Sequence, residues 1–411
     1  MKTLFGPFSQ LLPMTNLPLR GPLSDHQLVL MQEAGILVES GYVLETGPWN
    51  SMIASVSEKT EVVSFSQKLV GIPGMIDAHT HICFAGSRAM DYAERNAGTS
   101  YLEIAKAGGG ILSTVRNTRN ANREELVRSM NQRLTSLFHR GITTVEVKSG
   151  YGLSVQEELK LLRAIQDAGA AHEVDVIPTC LAAHMVPHDF EGDQKEYLEL
   201  ILSELLPVVQ QETLASRFDI FIEQSAFSPF AAKTYLMALA SEGFDITVHG
   251  DQFTTGGSQT AIDCGAISVD HLEASTDAEI DALSQSTVIP VALPGASLGL
   301  GCGYAPARKL LNAGCSLAIA SDWNPGSAPQ GHLLLQASLL AASEKLSTAE
   351  TLAGITVRAA AALGAEDRGE IRPGALADIT LFPTNDYREI LYLQGMMNPA
   401  AVIKRGELFR F

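Results

Sequence analysis

The chain has 411 residues and a formal net charge of −17, from 29 Lys and Arg against 46 Asp and Glu. Hydrophobic residues make up 46% and charged residues 18%, which excludes a disordered chain and is enough to bury a large core. The acidic balance, without a Lys/Arg run longer than two, argues against nucleic acid and anionic membranes as partners, because both need a positive protein face.

The cysteines and the apolar segments indicate the cellular compartment in which the protein functions. The five cysteines are sparse, odd in number and free of CxxC pairs, which excludes a disulfide scaffold and a cysteine-rich zinc module and favours a reducing compartment. Residues 1–12 lack the apolar centre of a signal peptide, and residues 288–300, the most apolar stretch, are broken by proline and glycine. We therefore expect a cytoplasmic protein without a membrane span.

Along the chain, a β-rich start gives way to a regular alternation. Residues 1–65 contain short strand-like pieces such as 27–31 and 36–39, and apolar, β-branched runs then alternate with helical stretches. The eight runs are residues 75–79, 142–148, 174–184, 218–223, 245–249, 266–271, 287–293 and 316–322. Such runs are typical of parallel strands buried on both faces, and eight of them predict an α/β protein with a (β/α)8 TIM-like barrel.

The end of the chain is β-rich again, with strand-like pieces at residues 378–382 and 401–404. We predict that both termini build one small β-sandwich domain, from residues 1–70 and 363–411, and that residues 71–362 form the barrel. The first crossover, residues 84–140, is long and contains three glycines at 108–110 before a helical stretch that includes 124–139. Long βα loops on a barrel are usually functional.

Polar residues gather at the ends of the predicted strands, where the chemistry of a (β/α)8 barrel lies. They are Asp77, His79 and His81 at the first strand, Glu146, Lys148 and Tyr151 at the second, His184 at the third, Glu223 at the fourth, His249, Asp251 and Gln252 at the fifth, Asp270 and His271 at the sixth, and Asp322 and Asn324 at the eighth. Four of the ten histidines thus lie at the ends of different strands, which indicates a site at this face of the barrel.

Part of this set has the composition of a metal site. His79 and His81 are two residues apart on an extended segment, so their side chains point the same way. His249 and Asp322 would supply a third nitrogen and an oxygen from strands five and eight. Three histidines and one carboxylate suit Zn²⁺ or Fe²⁺, with one position left for water.

These motifs resemble the metal-dependent amidohydrolase superfamily. The segment 71–81 reads GIPGMIDAHTH, His249, His271 and Asp322 follow at later strand ends, and the segment 369–382, GEIRPGALADITLF, is similar to the superfamily's C-terminal β-domain signature. More narrowly, the chain resembles the imidazolonepropionase family. The motifs that carry this resemblance are CFAGSR (83–88), GGGI (108–111), EVKSGYGL (146–153), AAH (182–184) and SDWNPG (321–326).

The resemblance implies metal-dependent hydrolysis of a cyclic amide C–N bond in 4-imidazolone-5-propanoate, which yields N-formimidoyl-L-glutamate. It implies one divalent metal ion on His79, His81, His249 and Asp322, and catalytic roles for His271 and Asp322. It also implies a substrate-binding set: Arg88, Tyr151, His184, Gln252, Asn324, Gly326 and Ser327. Arg88 suits the propionate group of the substrate, because a guanidinium fork matches a carboxylate.

One residue departs from the wider superfamily. Mononuclear deaminases of the superfamily carry His-x-x-Glu at strand five, where this chain has His249 and Gln252. A glutamine amide cannot accept a proton at neutral pH. We therefore expect Asp322 with His271 to move the proton and Gln252 only to hydrogen-bond, which disfavours a deaminase.

Two alternative functions fit the sequence less well. A two-metal amidohydrolase needs a carboxylated lysine at the end of strand four, where this chain has no Lys, although Glu223 could bridge a second ion. A non-enzymatic, metal-stabilised barrel would not need His271, Arg88 and Tyr151 at the same face. The sequence does not determine whether zinc or iron is bound or what the oligomeric state is, and a homodimer is one arrangement that stays open.

Overall fold

The computed structural model describes residues 2–99, 103–104 and 107–411. The N-terminal segment forms the strands β1 (Lys2–Leu11), β2 (Met31–Glu39), β3 (Tyr42–Pro48), β4 (Glu61–Ser64) and β5 (Val70–Pro73), with the helix α1 (Trp49–Ser55) after β3. The strand predicted at 36–39 lies within β2, but the one predicted at 27–31 is wrong. A 3-10 turn at Asp25–Gln27 replaces its start. The Gln27 side chain accepts from the Ser24 backbone N–H at 2.8 Å, a local bond that competes with strand pairing.

Eight parallel strands then form the barrel, as predicted. They are β6 (Met75–Asp77), β7 (Ile142–Lys148), β8 (Asp175–Ala183), β9 (Arg217–Phe221), β10 (Asp245–Gly250), β11 (Ser268–His271), β12 (Ile289–Ala292) and β13 (Ala318–Ile319). Each strand pairs with the next from β6 to β13. The seam is joined beyond the strands themselves, where Asp322 N donates to His79 O at 3.0 Å and His81 N donates to Trp323 O at 2.9 Å.

Most helices of the described residues lie between and after the barrel strands along the chain. They are α2 (Ala89–Asn96), α3 (Ile111–Asn120), α4 (Arg123–His139), α5 (Val155–Ala170), α6 (Gln194–Leu200), α7 (Leu206–Glu212), α8 (Pro229–Ser241), α9 (Gly257–Asp263), α10 (Asp277–Ser284), α11 (Pro294–Leu300), α12 (Ala307–Asn312), α13 (Leu333–Glu344), α14 (Thr348–Gly354) and α15 (Val357–Ala362). A π-helical turn, Ile201–Leu205, joins α6 to α7. Reciprocal capping boxes begin α4, α6, α10 and α14, which explains why these helices start where they do.

The C-terminal segment returns to the first sheet through β14 (Ile379–Phe382), β15 (Ala401–Lys404) and β16 (Glu407–Arg410), with the short helix α16 (Arg388–Tyr392) between β14 and β15. The order is β16-β15-β14-β5-β1-β2-β3, with β4 beside β1, so strands from both termini share one sheet. This confirms the predicted architecture of a barrel with a small β domain from both ends.

The two units meet closely. The chain passes from β5 to β6 at Gly74, where a Cβ would overlap the Thr143 side chain, so only glycine fits. At the N-terminal end of β8, Asp175 lies 2.9 Å from Lys404 Nζ and 2.9 Å from Arg368 Nη1. Among the described residues, no helix is long and apolar enough to cross a membrane.

Candidate metal centre and active site

Four donor groups meet at the seam of the barrel. His81 Nε2 lies 3.2 Å from His79 Nε2 and 3.3 Å from His249 Nε2. Asp322 Oδ1 lies 3.6 Å from His79 Nε2 and 3.4 Å from His81 Nε2. All four residues are buried, so the three imidazoles and the carboxylate predicted as metal ligands are brought together.

The spacing of these atoms fits a small divalent cation. Ligand atoms about 2.0–2.1 Å from a tetrahedral zinc ion lie about 3.3–3.4 Å from one another. Four of the six separations among these atoms, 3.2 to 3.6 Å, are close to that edge length. Among the described residues, the groups whose ligand atoms all lie within 4.8 Å of one another are His79, His81 and Asp322, and His79, His249 and His271, so His249 joins the cluster through His79 and His81 and not through Asp322. Without a cation, three imidazole nitrogens and a carboxylate oxygen would crowd together in a buried site, so the donor set fits a metal.

Two carboxylates orient the ligand histidines from behind. His79 Nδ1 donates to Asp270 Oδ2 at 2.6 Å, and His249 Nδ1 lies 2.8 Å from Asp219 Oδ2. Contacts at Nδ1 leave Nε2 to face the metal position, the usual arrangement behind metal-binding histidines. Asp219 was not predicted, and Asp270 was noted only as a polar residue at a strand end, without a role. The sequence feature that could have identified both aspartates is a charged residue within an apolar strand, because a buried charge needs a partner.

Burial keeps the three clustered imidazoles in the neutral form that a metal ion requires, and it opposes the ionisation of Asp322. It lowers the pKa values of His79 and His81 well below the ordinary histidine range, and it lowers the pKa of His249 to about 4 despite Asp219. Burial also raises the pKa of Asp322 to about 7, against the opposing effect of His271. The imidazoles are therefore neutral at pH 7, as metal ligation requires.

His271 ends β11 beside this cluster. One of its ring nitrogens lies within 4.8 Å of nitrogens of His79 and His249, and its Nδ1 lies 3.6 Å from Glu273 Oε2. Burial alone would lower the pKa of His271, but Glu273 and Asp322 outweigh it and raise that pKa. The φ angle of His271 is 91°, a strained backbone conformation for a residue with a side chain. The bend at the end of β11 thus sets the ring over the cluster.

A cavity of about 650 Å³ opens above the donor cluster. Every residue predicted to bind substrate lines it: Arg88, Tyr151, His184, Gln252, Asn324, Gly326 and Ser327. His81, His249, His271 and Asp322 form its floor, whereas His79 lies beneath them. Arg95, Ile111 and Phe221 also line it and were not predicted. The structure thus brings the predicted groups to one cavity.

Arg88 is held in place by the first crossover. Its Nε donates to Asp91 Oδ2 at 2.7 Å, and the same oxygen accepts from Gly110 N at 2.8 Å. Asp91 therefore ties the guanidinium to the glycine-rich loop at 108–110. Because Nε is engaged, the Nη groups are the part of Arg88 left to face a ligand, and Nη1 lies beside Gly326.

Asn324 organises the loop after β13. Its amide Nδ2 donates to Asp322 O at 2.7 Å and to Ser327 Oγ at 2.9 Å, and its Oδ1 accepts from Gly326 N and Ser327 N. These bonds within the loop occupy both the donor group and the acceptor oxygen of the Asn324 side-chain amide. Asn324 therefore shapes the wall that Gly326 and Ser327 present to the cavity.

Gln252 and its neighbour Asp251 face different surroundings. Gln252 lines the cavity, whereas Asp251 is buried and accepts from Gly257 N at 2.9 Å and from Ser275 Oγ at 2.9 Å. Asp251 thus anchors the start of α9 and the chain after β11.

Glu223 has a structural setting. Its Oε1 accepts from Phe253 N at 2.8 Å and from Thr254 N at 2.9 Å, while its Oε2 accepts from Thr254 Oγ1 at 2.7 Å. Both oxygens thus hold the loop after β10, and Glu223 joins neither of the metal-binding groups found among the described residues. This disfavours the alternative of a second ion at Glu223.

The chain is similar to known amidohydrolases. A family model described as Amidohydrolase family matches residues 94–407. The imidazolonepropionase of Solibacter usitatus is 38% identical over 394 residues, covering 95% of this chain and 94% of that protein. The imidazolonepropionase of Rubrobacter xylanophilus is 41% identical over 395 residues, covering 94% of each.

Solved structures show the same fold at lower identity. An adenosine deaminase from Xanthomonas campestris with bound zinc has a TM-score of 0.72 at 17% identity, covering 99% of this chain and 92% of that one. An atrazine chlorohydrolase from Arthrobacter aurescens complexed with zinc has a TM-score of 0.71 at 15% identity, covering 99% of this chain and 94% of that one.

The histidine cluster and the family together support a metal cofactor. By its sequence relatives, its family model and its fold, the chain belongs to the imidazolonepropionase family of the amidohydrolase superfamily.

Proposed function

We propose that the protein hydrolyses 4-imidazolone-5-propanoate to N-formimidoyl-L-glutamate by opening the cyclic amide. The observation that carries this proposal is the donor cluster at the floor of a cavity whose walls hold a guanidinium, a tyrosine and a histidine suited to a small anionic ring. The direct test is loss of the ultraviolet absorbance of the imidazolone ring, with metal analysis of the same sample.

The cofactor in this proposal is one divalent ion, Zn²⁺ or Fe²⁺, on His79, His81, His249 and Asp322. Both ions suit three imidazoles and a carboxylate, and availability decides which one is loaded. When bound, such an ion lowers the pKa of a water molecule and polarises a carbonyl group. The five cysteines are free thiols, which suits a reducing compartment, so we place the enzyme in the cytoplasm.

The cavity walls orient the substrate. We assign the propionate carboxylate to the Nη groups of Arg88, with Gly326 and Ser327 beside them. His184 Nδ1 lies 2.9 Å from Gly150 O, which can only accept, so Nδ1 carries the proton and Nε2 is an acceptor for a ring N–H. Burial lowers the pKa of His184, which keeps this ring neutral. Tyr151 and Gln252 complete the polar lining.

In this proposal Asp322 transfers the proton, and His271 assists the transfer by stabilising the charge that develops. Attack of water on the ring carbonyl forms a C–O bond, and breaking the ring C–N bond leaves a nitrogen that needs a proton. The carboxylate of Asp322 accepts the proton of the attacking water and passes it to the leaving nitrogen. His271, protonated with support from Glu273, donates a hydrogen bond to the oxygen on which charge develops. Gln252 takes no part in proton transfer, because its amide is not a base.

Arg88→Met is expected to raise KM strongly with a smaller change in kcat, because a charge-assisted pair with the substrate carboxylate is lost. Steady-state kinetics with 4-imidazolone-5-propanoate measure this split. The control is an analogue without the propionate, which the wild type should hydrolyse poorly and the variant equally poorly. Equal sensitivity of both substrates to Arg88→Met would mean that Arg88 only supports the loop.

Metal binding is expected to weaken as the pH falls below 7. Asp322 has a pKa raised to about 7 in the metal-free protein, so below that pH it must lose a proton before it can bind the ion. The apparent Kd should rise by roughly tenfold per pH unit between 7 and 5 and level off above 7. His249, with a pKa near 4, adds nothing in this range. Zinc titrations of the metal-free protein at several pH values measure the slope, and a flat profile would contradict it.

The partner proposed here is the small-molecule substrate alone, without nucleic acid or membrane. The homodimer that the sequence leaves open is decided by sedimentation of the purified protein.

A further inference from the structure

Lys148, the last residue of β7, lies inside the barrel beneath the metal-binding cluster. Its side chain is 1% exposed. Its Nζ donates to Glu146 Oε1 at 2.7 Å, and it lies 2.8 Å from Asp219 Oδ2 and 3.7 Å from Asp270 Oδ2. The proposed reaction gives this buried ammonium no task.

The two aspartates are the ones that face the ligand histidines. Asp219 Oδ2 lies 2.8 Å from His249 Nδ1, and Asp270 Oδ2 accepts from His79 Nδ1 at 2.6 Å. In each case the oxygen that faces the imidazole is also the oxygen nearest to Lys148 Nζ. The Lys148 ammonium is therefore one carboxylate oxygen away from His249 and one carboxylate oxygen away from His79, which are proposed ligands from different strands.

The charges explain why a cation belongs there. Glu146, Asp219 and Asp270 surround one point in the dry interior, where like charges repel strongly. The ammonium offsets this repulsion, and the three carboxylates together raise the pKa of Lys148 although its burial opposes the rise. Removing the ammonium would leave these carboxylates with neutral partners only, such as Ser268 Oγ at 2.9 Å from Asp270 Oδ1 and the His249 backbone N–H at 3.1 Å from Asp219 Oδ1, so their mutual repulsion would push them away from the imidazoles.

We propose that Lys148 is the positioning residue of the metal centre: its ammonium holds Asp219 and Asp270 so that His249 and His79 direct Nε2 at the ion. This inference rests on the proposed metal site and deepens it. It also gives Lys148 a role different from the carboxylated lysine of two-metal relatives, because its Nζ is occupied by three carboxylates instead of an ion.

A purely structural role for Lys148 predicts a different result. A structural ion cluster would lower the stability of the metal-free protein without changing the affinity of the folded site for metal. Lys404 offers a matched control, because it is also buried, at 4% exposure, and lies between two carboxylates, Asp175 at 2.9 Å and Asp378 at 2.6 Å. Those contacts join β15 to the start of β8 and to the residue before β14, away from the proposed metal ligands.

The experiment compares wild type, Lys148→Met and Lys404→Met as full-length, metal-free proteins. Circular dichroism and urea unfolding establish that each is folded and how stable it is, and competition with a chromogenic chelator measures the Kd for Zn²⁺. We expect Lys148→Met to weaken zinc binding by at least about tenfold, the usual cost of disturbing the groups behind metal-binding histidines. Lys404→Met should lose stability but keep the wild-type Kd.

Lys148→Gln is the second variant if Lys148→Met does not fold, because its amide can still donate to a carboxylate but carries no charge. Zinc affinity equal to wild type in either folded variant would overturn the positioning role. If wild type itself binds no zinc, the proposed metal centre fails together with this inference. If wild type binds zinc tightly and the Lys148 variants do the same, this inference alone fails.

Discussion

His249→Ala is expected to remove the metal and the activity together. His249 Nε2 lies 3.3 Å from His81 Nε2, so the substitution removes one of the four proposed ligands, and it also leaves the buried Asp219 carboxylate without the imidazole that it faces at 2.8 Å. Because a bound metal contributes several kcal/mol to the transition state, kcat should fall by about 10³-fold or more. Metal analysis after gel filtration, beside the activity of the same sample, measures both effects.

A matched control uses a histidine outside the cluster. His172 contacts the Val174 backbone N–H at 3.1 Å and Thr135 Oγ1 at 3.2 Å, so His172→Ala should keep the metal and most of the activity. A full equivalent of tightly bound metal in His249→Ala would show that His249 is not a ligand.

His271→Asn is expected to lower kcat while the metal stays bound. Loss of a positioned acid–base group costs roughly 10²–10⁴ in rate. The pairing of His271 with Glu273, and the raised pKa that results, support a role in proton handling. Gln252→Ala should instead raise KM, because that amide only hydrogen-bonds, and Gln252→Glu should be tolerated for its similar shape.

The comparison of these variants separates three assignments. If His271→Asn keeps near-normal kcat while Gln252→Ala abolishes turnover with metal bound, the two roles are reversed. If His271→Asn loses its metal, His271 is a ligand. This outcome is worth measuring because a ring nitrogen of His271 lies within 4.8 Å of nitrogens of His79 and His249.

The barrel could be predicted from the sequence because each strand is a continuous apolar run closed by polar residues. The ends of the strands were harder to place. Residues 316–322 are predicted as one strand, but the strand in the structure is only Ala318–Ile319. The strand ends early because the chain turns at Asp322, where φ is 49°. A backbone angle of this kind is imposed by the surrounding structure and leaves no pattern in the sequence.

The residues of the donor cluster could be predicted to meet because they are histidines and an aspartate at strand ends, whereas the groups behind them could not. Asp219, Asp270 and Lys148 lie on three different strands, and their contact depends on the register of β7, β9 and β11 in the closed barrel. The pairing of Arg88 with Asp91 likewise depends on how the first crossover folds back over the cavity.

The central claim is that one metal ion on the His79, His81, His249 and Asp322 cluster supports hydrolysis of 4-imidazolone-5-propanoate. The most direct measurement is a titration of metal-free enzyme with Zn²⁺ or Fe²⁺, in which loss of the imidazolone absorbance is recorded against the metal bound per chain. We expect no turnover without metal, a linear rise, and saturation at one equivalent. Turnover by the metal-free protein, saturation only at two equivalents, or no hydrolysis of this substrate by the fully loaded protein would contradict the claim.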